Sequence, residues 1–201
     1  MSERRELPSR EKMDLRIRRT RGAIREAFVA LMKKKEYAAI TVTDISEQAD
    51  INRKTFYAHY ETKEQLLAQL IEEMFCDLLD TLMYPKTGTC GDREADLKRD
   101  LTVFFQKVNV YREGIDILIT PQTSQLAFAI ADDVIRSQLE IIGLPAEVPG
   151  LIHREIYVSR IKSFLLTSID WWMEQDSYTP EEAAAAYGGM MRLSLSDVFG
   201  Y

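Results

Sequence analysis

The sequence predicts an all-α chain, with an N-terminal arm and three-helix head at residues 1–62 and a helical bundle at 63–201, about nine helices in all. Three observations carry this. Apolar residues recur at three- and four-residue steps almost throughout, with almost no period-2 alternation of the kind that marks strands. Helix-start signatures recur along the chain, at Thr41, Asn52, Thr62 and Thr179. Only 6 Pro and 9 Gly interrupt 201 residues that are 46% hydrophobic, so long helices and a sizeable core are both affordable to the chain.

The first helix is predicted from about Leu15 to Lys35, where Ile17, Ala23, Ile24, Ala27, Phe28 and Leu31 form a core-facing stripe. It ends in Lys33-Lys34-Lys35, which suits the negative end of the helix dipole. A short second helix starts at Thr41, whose spacing to Asp44 resembles a capping box, and turns Ile45 and Ala49 inward. Asp50-Ile51-Asn52 is then a tight turn, and Asn52 caps a third helix, RKTFYAHY. A fourth helix runs from Thr62 to about Met83, and Pro85–Gly91 breaks it. Beyond the break, helices are predicted at about 93–111, 121–142, 151–175 and 180–199, with a short one near 113–118. The last is marked by Thr179-Pro180-Glu181-Glu182, an N-cap followed by proline at the first helical position.

Two short helices around a three-residue turn make a helix-turn-helix pattern. At 100° per residue, Phe56 and Tyr60 point together, toward Ile45, Ala49, Ile51 and Leu66. Arg53, Lys54, Thr55 and Tyr57 then face outward, with His59 beside the buried face. Such side chains suit a duplex: Arg pairs with two guanine acceptors or a phosphate, Lys is a point charge, and hydroxyls donate to phosphate oxygens. The charge distribution agrees. Residues 1–63 hold 15 Lys+Arg against 10 Asp+Glu, whereas 64–201 hold 11 against 22, which fits a polyanion contact confined to one end.

Other classes find little support. There is no Glu-x-x-His pair, glycine-rich phosphate loop or nucleophile elbow, and the only histidines are His59 and His153, so no enzyme, metal or cofactor is expected. Cys76 and Cys90 lack metal-type spacing and read as two reduced thiols. No window approaches the ~18 uninterrupted apolar residues of a membrane span, and the N-terminus lacks the apolar core of a secretory signal. A cytoplasmic location is the expectation.

From Arg19 to about Leu67 the sequence resembles the DNA-binding domain of the tetracycline-repressor (TetR) family of bacterial transcriptional regulators. The carrying residues are Arg19-Thr20-Arg21 with Ala23-Ile24, Thr41-Val42-x-Asp44-Ile45, Thr55-Phe56-Tyr57-x-His59-Tyr60, and Lys63-Glu64-x-Leu66-Leu67. The resemblance implies phosphate contacts from Thr43, Tyr57, His59 and Lys63, and base contacts from Arg53, Lys54 and Thr55. Arg16, Arg18, Arg19 and Arg21 would meet phosphates or a minor groove as a group. Two positions depart from the family pattern: Asp50 stands where glycine is usual in a left-handed turn, and Tyr60 where phenylalanine is commoner, so its hydroxyl needs a partner.

The resemblance further implies a homodimer on a palindromic double-stranded operator, released by an effector bound to the C-terminal bundle, in most relatives as a repressor. Residues 151–175 carry more apolar groups than one stripe holds, so Ile156, Ile161, Leu165, Ile169 and Trp172 are the expected dimer face. The effector is expected among Phe104, Phe105, Val108, Tyr111, Ile117, Phe128, Tyr157, Ile161 and Phe164, residues that could equally be plain core. A protein partner in place of a small molecule, and activation in place of repression, stay open.

Overall fold

The structure is a computed structural model and describes residues 9–83, 93–141, 154–175 and 177–188. Its helices are α1 (Ser9–Met32), α2 (Val42–Gln48), α3 (Arg53–Tyr57), α4 (Lys63–Met83), α5 (Arg93–Leu118), α6 (Ser124–Ile141), α7 (Arg154–Met173) and α8, residues 180–188, with a 3-10 turn (Tyr37–Ala39) between α1 and α2. Among the described residues there is no strand, and no helix is long and apolar enough to cross a membrane.

Local sequence sets the helix starts as expected. The Thr41 hydroxyl accepts from the Asp44 amide at 3.1 Å while the Asp44 carboxylate accepts from the Thr41 amide at 2.7 Å, a complete capping box. Asn52 accepts from the Lys54 amide at 2.8 Å. Thr179 and Glu182 form a second box at the head of α8. The start of α4 is a variant: Thr62 accepts from the Gln65 amide, but the Gln65 side chain accepts from Glu61 rather than from Thr62.

Other details differ from the prediction. α1 begins six residues earlier than Leu15, at Ser9, and Ile17 stays 39% exposed because the first turns of α1 run beyond the core-facing stripe. The short helix expected near 113–118 is the end of α5, which passes through Gly114 unbroken because Ile115 and Leu118 continue the buried stripe of Leu101, Phe104, Phe105 and Val108. The 3-10 turn has no counterpart in the prediction. Cys90 and residues 189–199 of the last predicted helix lie outside the described residues.

One contiguous core runs from Ile24 in α1 to Ala183 in α8. α4 supplies much of it, burying Leu66, Leu67, Ile71, Met74, Phe75, Leu78 and Leu79, and packs along α5 and α6. α1 also reaches α5, where Lys33 pairs with Glu113. α7 lies against α5 and α6. Its Trp172 is buried and donates from Nε1 to Asn109 Oδ1 at 2.7 Å, and the Arg112 guanidinium of α5 caps the end of α7 by donating to the carbonyls of Trp172, Met173 and Gln175 at 2.9–3.1 Å.

This placement corrects the expected dimer face. Leu165, Ile169 and Trp172 are at most 4% exposed in the single protomer, because their spacing puts them with Val158 on one inward stripe. Ile161 is half-buried, and only Ile156, at 56% exposure, stands out from the surface. The rest of the outward face is polar, with Ser159, Arg160, Ser163, Thr167 and Asp170.

Two of these features lead to measurable effects. Asp132 of α6 receives Lys162 at 2.5 Å and Arg136 at 2.7 Å, and these partners hold its carboxyl below its ordinary value of 3.8. A depressed carboxyl contributes stability that is fully present above the unfolded value and is lost as pH falls through the folded one. The stability difference between wild type and Asp132→Asn, from urea unfolding, is therefore expected to shrink as pH drops below about 4; a difference constant from pH 6 to 2 would contradict the assignment. Asp50 has φ of 52°, the only positive φ among the described non-glycine residues. Asp50→Gly relieves the Cβ crowding and is expected to stabilise by about 0.5–1 kcal/mol, while Asp50→Ala destabilises. Equal stability of the two variants would argue against the left-handed turn.

Candidate nucleic-acid interface

The predicted reading head is assembled from α1, α2 and α3. α3 has only five residues and would not persist alone. Phe56, at 0%, and Tyr60, at 1% exposure, hold it down, in the same buried cluster as Phe28, Ile45, Leu66 and Leu67. With that face fixed, the helix period turns the others out. Arg53 and Lys54 are exposed, Tyr57 is 49% exposed, and Thr55 is half-buried on the flank. Tyr57 packs edge-on against Phe56 with ring centroids 5.7 Å apart, so its hydroxyl end stands clear while its ring is supported.

Thr43 lies half-buried in the first turn of α2, and Arg16, Arg18, Arg19 and Arg21 are exposed along α1. The side chains of Arg4, Arg5 and Arg10 lie outside the described residues. His59 is half-buried, and burial together with the positive charge of Arg21 pushes its pKa below 6.5. Both effects favour the neutral imidazole in the free protein, which can still donate one N–H.

The Tyr60 hydroxyl has the partner its burial requires. Arg25 Nε donates to it at 3.4 Å, and the same guanidinium pairs with Glu73 of α4. Arg21 also lies over the Tyr60 ring at 6.0 Å. The extra hydroxyl relative to phenylalanine thus joins α1 to the end of α3 and to α4. Sequence reasoning did not find Arg25, whose partners are 35 and 48 residues away.

Lys63 departs most from expectation. In place of an outward ammonium, the structure turns it into the domain, where Nζ donates to the carbonyls of Tyr37 at 2.9 Å and Ile40 at 2.8 Å, with that of Ala38 at 3.5 Å. It also lies 4.4 Å from the centre of the Tyr37 ring. An ammonium has three protons, and these carbonyls account for them.

Among the described residues, the expected effector group is largely packed as core. Phe104, Phe105 and Val108 are fully buried, and the aromatic groups fill the space between them: Phe105 is 4.9 Å from Trp172 and 5.3 Å from Tyr187, and Phe104 is 5.2 Å from Phe105. Tyr111, Ile117, Ile161 and Phe164 are half-buried, Phe128 is 47% exposed, and the Tyr157 side chain lies outside the described residues. Tyr111 donates to Asp77 at 3.0 Å. A cleft of about 520 Å³ between α4 and α6 is lined by Gln69, Glu72, Glu73, Cys76, Asp77, Asp80 and Gln138, and by none of the expected residues. Its lining carries four carboxylates, those of Glu72, Glu73, Asp77 and Asp80.

Residues 24–70 match the family described as bacterial regulatory proteins, tetR family. The chain is 41% identical over 73 residues to YxbF of Bacillus subtilis (strain 168), an uncharacterised regulator of the helix-turn-helix type, covering 36% of this chain and 19% of that protein. It is 38% identical over 61 residues to DhaS of Lactococcus lactis subsp. lactis (strain IL1403), the transcriptional activator of the dhaKLM operon, covering 30% of this chain and 33% of that one. The matched stretch thus spans about a fifth and a third of these relatives' lengths. In fold, the chain is similar to a TetR transcriptional regulator from Streptococcus agalactiae 2603V, with TM-score 0.55 at 24% identity over 90% of this chain and 98% of that one. The helix-turn-helix segment of this chain, residues 24–70, is thus similar to that of the bacterial regulatory proteins of the tetR family.

Proposed function

We propose that this chain is a sequence-specific DNA-binding transcriptional regulator that reads a palindromic operator as a homodimer. The observation that supports this best is the division of α3. Phe56 and Tyr60 are buried while Arg53, Lys54 and Tyr57 stand exposed on the side away from the core. In this reading Arg53, Lys54 and Thr55 meet base edges in the major groove, and Thr43, Tyr57 and His59 meet phosphates. Arg19 and the neighbouring arginines of α1 extend the phosphate contact.

One head offers too few base contacts for a long site, so two are needed, about one helical turn of DNA apart or a multiple of it. The second copy is proposed to pack on the outward side of α7 around Ile156, and on α8. Residues 1–62 form the reading unit and 63–201 the unit that joins copies and receives the signal. The signal is proposed to act through this second unit. The likeness to an activator leaves the sign of regulation to the position of the operator relative to its promoter.

The test is selection of bound sequences from a random duplex pool, followed by titration of the recovered duplex at several salt concentrations. Log affinity is expected to fall linearly with log salt, since each neutralised phosphate releases counterions. Arg53→Ala and Lys54→Ala are expected to lose about 1–3 kcal/mol of discrimination at particular base pairs. Binding indifferent to salt, or variants that weaken every sequence equally, would sink the assignment of α3 as the reading helix.

A further inference from the structure

We propose that Lys63 is a positioning residue which fixes the angle of the reading head, and that it does not neutralise a phosphate. This rests on the DNA-binding reading above. The first turn of a helix is an unfavourable place for a cation, because the dipole is positive there. Lys63 occupies that place in α4, and its charge is met from elsewhere in the chain. The carbonyls of Tyr37 and Ile40 accept from Nζ at 2.9 and 2.8 Å, that of Ala38 lies at 3.5 Å, and the face of the Tyr37 ring lies beneath it at 4.4 Å. A second rung runs parallel to the first, with Tyr37 Oη donating to Glu64 at 3.0 Å.

The position of these rungs in the chain gives them their effect. Residues 41–62, between the two anchors, comprise α2, the Asp50 turn and α3, which is the whole helix-turn-helix unit. The clasp therefore closes that unit at both ends. The last carbonyl it holds, Ile40, is the residue immediately before the Thr41 cap of α2. Lys63 opens the helix that follows α3. Without the Lys63 rung, the entry to α2 and the exit from α3 are held more loosely, by packing, the Tyr37–Glu64 bond and the Arg25 contacts, and the face bearing Arg53 and Lys54 is less firmly fixed in its angle to α1 and α4.

The two roles for Lys63 differ in their dependence on salt. A lost phosphate contact reduces the slope of log affinity against log salt by about 0.9, whereas a lost clasp lowers affinity and leaves the slope alone. For Lys63→Met the expected result is a fall in affinity on the order of tenfold at unchanged slope. Lys63→Gln, whose amide can still donate to the carbonyls, is expected to recover part of that loss. A slope reduced by about one contact in either variant, or affinity unchanged in Lys63→Met, would overturn the proposal. Amide hydrogen exchange of the DNA-free protein provides a separate readout: Ala39 and Ile40 are expected to exchange faster in Lys63→Met and less so in Lys63→Gln. Unchanged exchange would also overturn the clasp. If the wild-type protein shows no salt-dependent duplex binding, the DNA reading fails by itself, while the exchange rates still decide whether the clasp exists.

Discussion

The burial of two rings, Phe56 and Tyr60, is the constraint on which the reading head depends. A five-residue helix has almost no stability of its own, since nucleation costs more than its few hydrogen bonds return. α3 exists because these side chains, four residues apart and on one face, enter the cluster that also holds Phe28, Ile45 and Leu66. The same geometry determines what is left outside. Once Phe56 points inward, Arg53, Lys54 and Tyr57 have no other direction to take. Polar ties then fix the helix laterally, through Arg25 to Tyr60 and Glu73 and through the Lys63 contacts at the head of α4.

α4 connects this head to the rest of the molecule. Its first turns meet the 37–40 segment and its later turns pack along α5 and α6. Because α1 also touches α5, the head and the bundle share two lines of contact and a continuous core. A change in the bundle that moves α4 would carry both ends of the helix-turn-helix unit with it. The segregation of charge, basic up to residue 63 and acidic beyond, fits the same division. It leaves the cationic surface at one end and gives the bundle a charge that a polyanion repels.

How much of this could be read from the sequence follows the range of each interaction. Capping at Thr41, Asn52 and Thr179 was legible because cap and partner lie within three residues. The left-handed Asp50 was legible from the resemblance, in which glycine is usual at that turn position, and the burial of Phe56 and Tyr60 from the helical period. The Lys63 and Arg25 contacts were not, since their partners lie 23 to 48 residues away and periodicity names a face but not a neighbour. In α7, the apolar excess suggested a second buried face. The protomer itself takes up Leu165, Ile169 and Trp172, aided by Asn109 and the Arg112 cap from α5, which no local pattern announces. The aromatic stripe of α5 proved to be packed core for a similar reason, as Trp172 and Tyr187 come from far along the chain to fill it.

The most direct test of the central claim is a map of backbone amide chemical shifts as the labelled protein is titrated with its selected duplex. The largest changes are expected at residues 52–59 and along the exposed arginines of α1, with smaller ones at the Thr41–Thr43 cap. Changes confined to residues beyond 64, with Arg53 to Tyr57 unmoved, would show that the outward face of α3 is not the surface that meets DNA.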